Sequence, residues 1–328
     1  MTVCSVSVII CAYTDKRWDQ TCAAVNSVRA QSMPNIEIIL VVDHNPRLYQ
    51  RLSAAFTDVT VVENGHAPGA SGARNAGVAL ARGDIVAFLD DDAAAEPDWL
   101  KFLCDSYADP AVIGVGGPIL PRWETSPPRW FPPEFYWVVG CDYLGMPGPH
   151  AAVRNLIGAN MSFRREAFDI GGGFRIDVGR NSAKRPYGGE ETEFCIRIGQ
   201  SYPDSVLLIE NRAAVSHLVT RARCQFSYFT SRCFAEGLSK AEVVATVGST
   251  DGLSSERHYA ALTLPKGIAR GVADLLGGDP WGPGRAGAIV VGLAAATAGY
   301  IIGSTRRRMR PDVAGRRDFR SQAASSDR

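Results

Sequence analysis

The chain has no C-x-x-C pair, no G-x-x-x-x-G-K-[ST] loop, no glycine in the turn after its first apolar run and no excess of either charge. Each absence removes a class of function. Its eight cysteines (Cys4, Cys11, Cys22, Cys104, Cys141, Cys195, Cys224 and Cys233) are scattered, so neither a zinc site nor a dithiol redox motif is indicated. Several of them sit inside apolar runs, as buried free thiols do. With 35 Lys and Arg against 34 Asp and Glu, the formal charge of +1 gives no support to nucleic-acid binding. The first run, Val6 to Cys11, leads into Cys11-Ala12-Tyr13-Thr14. A dinucleotide fold needs G-x-G-x-x-G at that turn and a phosphate-loop enzyme needs its own glycine-lysine pattern, so any phosphates must be held in another way. Thr2 to Cys11 has no basic lead and passes at once into polar sequence, so no signal peptide is expected. The catalytic part is accordingly expected to be cytoplasmic and reduced.

What is present is an ordinary globular composition, 46% hydrophobic and 21% charged over 328 residues. That length suits one large α/β domain with an appendage, or two modest domains. Continuous branched apolar runs at Val6–Cys11, Ile36–Val42, Val59–Val62 and Ile85–Leu89 predict buried parallel strands. Between them, Trp18–Gln31, Leu48–Phe56 and Ser71–Arg82 carry helical spacing, which predicts a doubly wound sheet. Ligands of such sheets bind at the strand carboxyl ends, where Asp43 and Asp90-Asp91-Asp92 fall.

Three crowded carboxylates repel one another, and a bound cation serving an anionic ligand relieves that cost. A solvated turn capping the next helix is the plainer explanation of such a triplet, and the surrounding motifs decide against it. Tyr13 can stack on a base. The loop Pro68–Gly77 opens a helix whose positive end faces the same sheet edge and suits an anion, with Arg74 placed to clamp a base or phosphate or to form a surface ion pair.

The remainder is less regular. Pro118–Pro149 holds many prolines together with Trp123, Trp130 and Trp137, and cannot be helix or sheet throughout. It is either a long packed connection or a wall that stacks against sugar rings. Arg221–Val247 reads as helix, and a polar stretch, Gly248–Arg257, separates it from the tail. Ala286–Gly303 carries no charge over ~18 residues, with Arg306, Arg307, Arg308 and Arg310 after it. It fits a short transmembrane helix, an interfacial helix held to anionic lipid by the arginines, or a soluble helix packed on the domain. Beyond Arg310 the polar sequence is expected to be disordered.

Four motifs in order, Val6-Ser7-Val8-Ile9-Ile10 with Tyr13, Val41-Val42-Asp43, Gly72-Ala73-Arg74-Asn75 and Phe88-Leu89-Asp90-Asp91-Asp92, resemble the family 2 inverting glycosyltransferases of GT-A fold. The resemblance covers roughly the first two thirds of the chain. It implies a Rossmann-like mixed sheet flanked by helices over residues 1–220, divided at about residue 117 into nucleotide and acceptor halves. A helical extension would follow over 221–303, with a basic tail over 304–328. It also implies that Ala12, Tyr13 and Asp43 hold the nucleotide base, that Arg74 supports it, and that Asp90 meets ribose or metal. Asp92 would coordinate Mg²⁺ or Mn²⁺ bridging the diphosphate; Gly72 and Asp91 fall in the same donor set, Asp91 without an individual role.

Gly158–Arg165, with Asn160, resembles the family's strand beneath donor sugar and acceptor. Gly189-Glu190-Glu191-Thr192-Glu193-Phe194 resembles its E-D-x-D/E segment, which makes Glu191 the implied catalytic base where the commoner residue is aspartate. Glu190 would bind acceptor or donor-sugar hydroxyls, or the two roles exchange. Three glutamates in a first helical turn are also explained by the helix dipole. His217 is the implied third metal ligand or phosphate donor, unless it is structural. Arg221 and Arg223 would reach the same phosphates or form a solvated face. The implied activity is transfer of a sugar, commonly from a uridine diphosphate donor, to a hydroxyl of a glycan or lipid-linked acceptor in cell-envelope or exopolysaccharide synthesis, at the inner face of the membrane. Two rivals are a nucleotidyltransferase, which would need a glycine-rich basic first turn, and a catalytically silent membrane-bound scaffold.

Overall fold

The computed structural model describes residues 4–148, 150–178 and 188–308. Arg310 and the tail beyond it lie outside the described residues. Strands β1 (Val6–Ala12), β2 (Ile36–Val42), β3 (Thr60–Glu63) and β4 (Ile85–Asp90) alternate with helices α1 (Trp18–Arg29), α2 (Pro46–Ala55) and α3 (Ala70–Val78). All four strands run parallel, in the order β3-β2-β1-β4. Parallel strands are covered on both faces, which is why their sequences are continuous apolar runs and not alternating ones. Ser7, fully buried in β1, and Glu37 in β2 are polar exceptions that pair; the Ser7 hydroxyl donates to Glu37 at 2.6 Å and accepts from the Gly83 N–H at 2.8 Å.

After the acidic triplet the chain makes a short strand, β5 (Ala93–Ala95), and not the helix that a capping turn would introduce. Helix α4 (Trp99–Ser106) then leads to β6 (Val112–Gly116) and β7 (Ile119–Trp123). Strand β8 (Asn160–Arg164) inserts antiparallel between β4 and β6, and β9 (Val206–Ile209) closes the far edge parallel to β6. The result is a mixed seven-stranded sheet with helices against it, as expected. Between β8 and β9 lie α5 (Glu166–Gly171) and α6 (Glu190–Ser201).

A smaller sheet, β5-β10-β7, sets the site. Strand β10 (Val215–Val219) pairs antiparallel with β5, with His217 opposite Ala93. That register carries His217 to Asp92 across 125 residues of sequence, and the Leu218 N–H donates to the Asp92 carbonyl at 2.9 Å.

The C-terminal third is helical: α7 (Phe226–Val247), α8 (Ser249–Gly252), α9 (Ser254–His258), a π-helical turn Tyr259–Thr263, α10 (Leu264–Leu276) and α11 (Gly282–Arg308). The polar stretch Gly248–Arg257 is thus two short helices, and its Glu256 is paired with Arg154 at 2.7 Å and Lys240 at 2.6 Å. Helix α11 lies along α7, and the two approach through glycines. A Cβ on Gly237 would stand 1.9 Å from the Ala296 carbonyl oxygen, and one on Gly299 would stand 2.1 Å from that of Phe234. Backbones this close are possible only without side chains between them. Within the proline-rich segment, Trp130 and Phe131 pack on Phe226 and Phe229 of α7, so that part is a packed connection. Trp137 instead faces the cleft described next.

Candidate active site

The carboxyl edge of the main sheet opens into a cleft of about 1220 Å³, walled on the other side by α7, α9, the π-helical turn and α11. Tyr13 stands at it half exposed, with the Arg17 guanidinium 5.3 Å from its ring centroid. Ala12 contributes backbone; its carbonyl accepts from the Asp43 N–H at 2.8 Å. The Asp43 carboxylate accepts from Asn64 Nδ2 at 2.7 Å and from the Gly69 N–H at 2.9 Å, which fixes the loop leading into α3.

Gly72 was expected to touch the nucleotide, and it does not line the cleft. A Cβ there would stand 2.1 Å from the Ala67 carbonyl oxygen, so Gly72 lets that loop close on α3. Asn160 turns inward. Its amide accepts from Trp99 Nε1 at 2.8 Å and donates to the carbonyls of Pro118 at 3.1 Å and Ala213 at 2.8 Å. At 1% exposure it clamps β8 to its neighbours and does not line the cleft.

The triplet divides into three environments. Asp90 ends β4 partly exposed at the cleft. Asp91 is buried and accepts from Arg17 Nη1 at 2.6 Å, while its Oδ2 has no partner among the described residues. Burial, together with the neighbouring Asp92 and Asp90, raises its pKa in spite of Arg17. Asp92 faces an imidazole and two guanidiniums: His217 Nε2 at 3.1 Å, Arg223 Nη2 at 2.9 Å and Arg17 Nη2 at 3.2 Å. Burial opposes its charge, but the hydrogen bond from His217 and the charges of His217, Arg17 and Arg223 hold it below the usual carboxylate range.

Asp90, Asp92 and His217 bring their ligand atoms within 4.8 Å of one another. Two carboxylates and an imidazole suit a hard or borderline divalent cation, and Asp91 Oδ2 leaves an unused buried oxygen beside them. The residues present therefore fit a metal. No motif in the sequence marks Arg17, although it lies four residues beyond Tyr13. Of the two arginines named after β10, Arg223 enters the cluster, whereas Arg221 is exposed.

Across the cleft, Gly189 takes a left-handed φ of 98° and turns the chain into α6, whose first turn holds Glu190, Glu191 and Glu193. The three separate. Glu193 is fully buried and paired with Arg197 at 2.7 Å, a structural role. Glu190 is buried against Arg74 Nη1 at 2.8 Å, and Arg74 Nη2 lies 3.8 Å from Asp90. Gly158 makes room for that guanidinium; a Cβ there would meet Nη2 at 2.6 Å. Glu191 lines the cleft and makes no ion pair among the described residues. Burial first, and then the adjacent Glu190 charge, raise its pKa to about 7 against the pull of Arg74. A carboxylate so tuned exchanges a proton near neutral pH.

Residues 7–171 match the family described as glycosyl transferase family 2. Over 239 residues the chain is 38% identical to the glucosyl-dolichyl phosphate glucuronosyltransferase of Haloferax volcanii, covering 72% of this chain and 76% of that one. Over 175 residues it is 26% identical to the succinoglycan biosynthesis protein ExoM of Rhizobium meliloti, with 53% of this chain and 52% of that one covered. Among solved structures it resembles the mannosyltransferase PcManGT from Pyrobaculum calidifontis in complex with GDP-Man and Mn²⁺, with a TM-score of 0.58 at 16% identity. That likeness covers 91% of this chain and 87% of the other, and it shows the fold, of GT-A type.

Proposed function

The chain belongs to glycosyl transferase family 2, and from that premise we propose that it moves a sugar, with inversion, from a nucleoside diphosphate donor to a hydroxyl of a lipid-linked acceptor. The observation that carries this reading is the placing of Glu191, tuned to about 7, in one cleft with Asp90, the exposed member of the Asp90-Asp92-His217 cluster. A base and a site for a departing diphosphate that share one cleft are what a single displacement needs. Uridine is taken as the donor base. Cell-envelope or exopolysaccharide glycans are the product class, since relatives act on a dolichyl phosphate sugar and in succinoglycan biosynthesis.

In this reading residues 1–220 carry the chemistry. Tyr13 stacks on the base, Asp43 and the Ala12 backbone receive its polar edge, and Arg74 holds Asp90 and Glu190 in register. Asp90, Asp92 and His217 would hold Mg²⁺ or Mn²⁺, which when bound neutralises charge on the diphosphate. Glu191 takes the acceptor hydroxyl proton while that oxygen attacks the anomeric carbon. The bond from that carbon to the diphosphate oxygen breaks on the opposite face, and the nucleoside diphosphate leaves with the electron pair. Glu190, held by Arg74, keeps the Glu191 proton affinity high. Residues 221–303 complete the acceptor side and lean on the cytoplasmic face of the membrane.

A thermal-shift panel of nucleoside diphosphates and their sugars, with and without Mn²⁺, tests this directly. A preferred ligand present at about 100 times its Kd stabilises by about 2.7 kcal/mol. Stabilisation by a uridine diphosphate sugar only with metal is the expected result. Absence of any nucleotide effect would overturn the reading.

A further inference from the structure

Helix α11 is apolar enough and long enough to cross a bilayer, with a mean hydropathy of 1.8, yet it is fastened at both ends and in the middle to the rest of the chain. Near its start Arg285 binds Asp274 and Asp279, each at 2.7 Å. In the middle Gly292 packs on Phe135 and Phe229, and near the end Arg307 pairs with Glu242 of α7. From Arg285 to Arg307 is about 33 Å of helix, so a membrane crossing would require it to be pulled off α7 entirely.

Among the described residues, nothing covers its outer half. Val290, Val291, Ala294, Ala298, Ile301 and Ile302 are exposed, and no charged residue lies between Arg285 and Arg306. Leu275, Leu276 and Trp281, at the neighbouring turn from α10, add to the same exposed apolar area. An uncovered apolar surface of this extent marks a partner. One row round the same helix, Leu293, Thr297 and Tyr300 line the catalytic cleft, so the outer surface continues into the site. From Arg306 to Arg328 the sequence carries eight arginines and three aspartates, which is complementary to an anionic headgroup layer and not to a neutral partner.

We propose that α11 lies in the plane of an anionic lipid bilayer, with Val290, Ala294 and Ile301 in the lipid and the Leu293-Thr297-Tyr300 edge as the entry by which a membrane-held acceptor reaches the cleft. This rests on the reading that the acceptor is lipid-linked. The helix neither spans the membrane nor serves as a plain core helix: one half is seated on α7, and the other half is the docking face.

The test uses the full chain in flotation with phosphatidylcholine vesicles, with and without phosphatidylglycerol, and the double variant Val290→Asp, Ile301→Asp. Both residues are more than half exposed, at 54% and 58%, and neither lines the cleft, so the variant should keep the wild-type Tm and the same Mn²⁺-dependent response to nucleoside diphosphates. Wild-type protein is expected to float with the anionic vesicles, and the variant to bind them at least about tenfold more weakly. Equal flotation of the two would overturn the docking face, as it would assign binding to the basic tail alone. So would a lipid-free dimer that the variant dissociates, since a second copy would then be the occupant. The nucleotide response is read in the same samples, so failure of vesicle binding with that response intact removes this inference and leaves the transferase reading standing.

Discussion

Arg74 donates to Glu190 through Nη1 at 2.8 Å, joining the helix behind the donor loop to the helix that carries the candidate base. Both side chains are nearly inaccessible, and Glu190 Oε2 has no partner among the described residues. Removing one member of such a pair strands the other as a buried charge. Arg74→Met is therefore expected to destabilise the protein by about 3 kcal/mol in urea unfolding. Adding Glu190→Gln should recover part of that loss, because the stranded charge is gone. Glu190→Gln alone completes the cycle, and a loss in the double variant equal to the sum of the two single losses would show that the pair is not coupled.

Glu191→Gln should lower transfer by about 10²- to 10⁴-fold while leaving nucleoside diphosphate binding unchanged. The pKa near 7 adds a pH signature. As base, Glu191 works deprotonated, so activity should rise as pH increases through about 7. Stability runs the other way. A carboxyl whose folded pKa is raised favours the folded state while protonated, so its contribution is present below the ordinary value of 4.5 and is lost as pH climbs towards about 7. Glu191→Gln should flatten both profiles across that window, and a pH-rate limb that survives the substitution would assign the base elsewhere.

The parallel strands were legible because each is a continuous run buried on both faces, and the carboxylates at their ends followed from strand direction alone. The placing of Asp90 at the cleft was readable for that reason, and that of Glu191 through its motif. What escaped depends on contacts distant in sequence. Nothing near Asn160 says that Trp99, Pro118 and Ala213 will consume its amide. Arg17 reaches Asp91 across 74 residues, and His217 reaches Asp92 only because β10 pairs with β5 in a particular register. Gly72 looked like a ligand contact because close approach to a phosphate and close approach to a carbonyl demand the same missing side chain. The three readings of 286–303 stayed open for a similar cause: an uncharged helix has the same composition whether lipid or protein covers it.

The cluster at Asp92 makes a metal prediction with two readouts. A chelator should abolish transfer, and Mn²⁺ or Mg²⁺ should restore it. His217→Gln should weaken metal-dependent nucleotide stabilisation by about 10- to 100-fold in apparent affinity, the range seen when a metal-site residue is lost. Asp92→Asn should abolish that stabilisation. It also leaves His217, Arg223 and Arg17 without the charge they surround, so its Tm should fall as well. Full activity of the wild-type protein in chelator would mean that Arg17 and Arg223 stabilise the leaving group unaided.

The seam between α7 and α11 can be opened without touching the nucleotide half. Gly237→Ala places a methyl group 1.9 Å from the Ala296 carbonyl oxygen, a contact that backbone cannot accommodate in place. Overpacking of this kind costs about 1 to 3 kcal/mol, and here it acts by levering α11 outward. Because α11 walls the cleft through Leu293, Thr297 and Tyr300, the displacement should raise the KM for acceptor more than it alters the affinity for nucleoside diphosphate. Gly287→Ala on the same helix meets nothing within 4 Å and should leave both unchanged, which separates seam geometry from a general effect of removing glycine. If Gly237→Ala lowered stability but left the acceptor KM at the wild-type value, α11 would be a packing element and not a wall of the acceptor site.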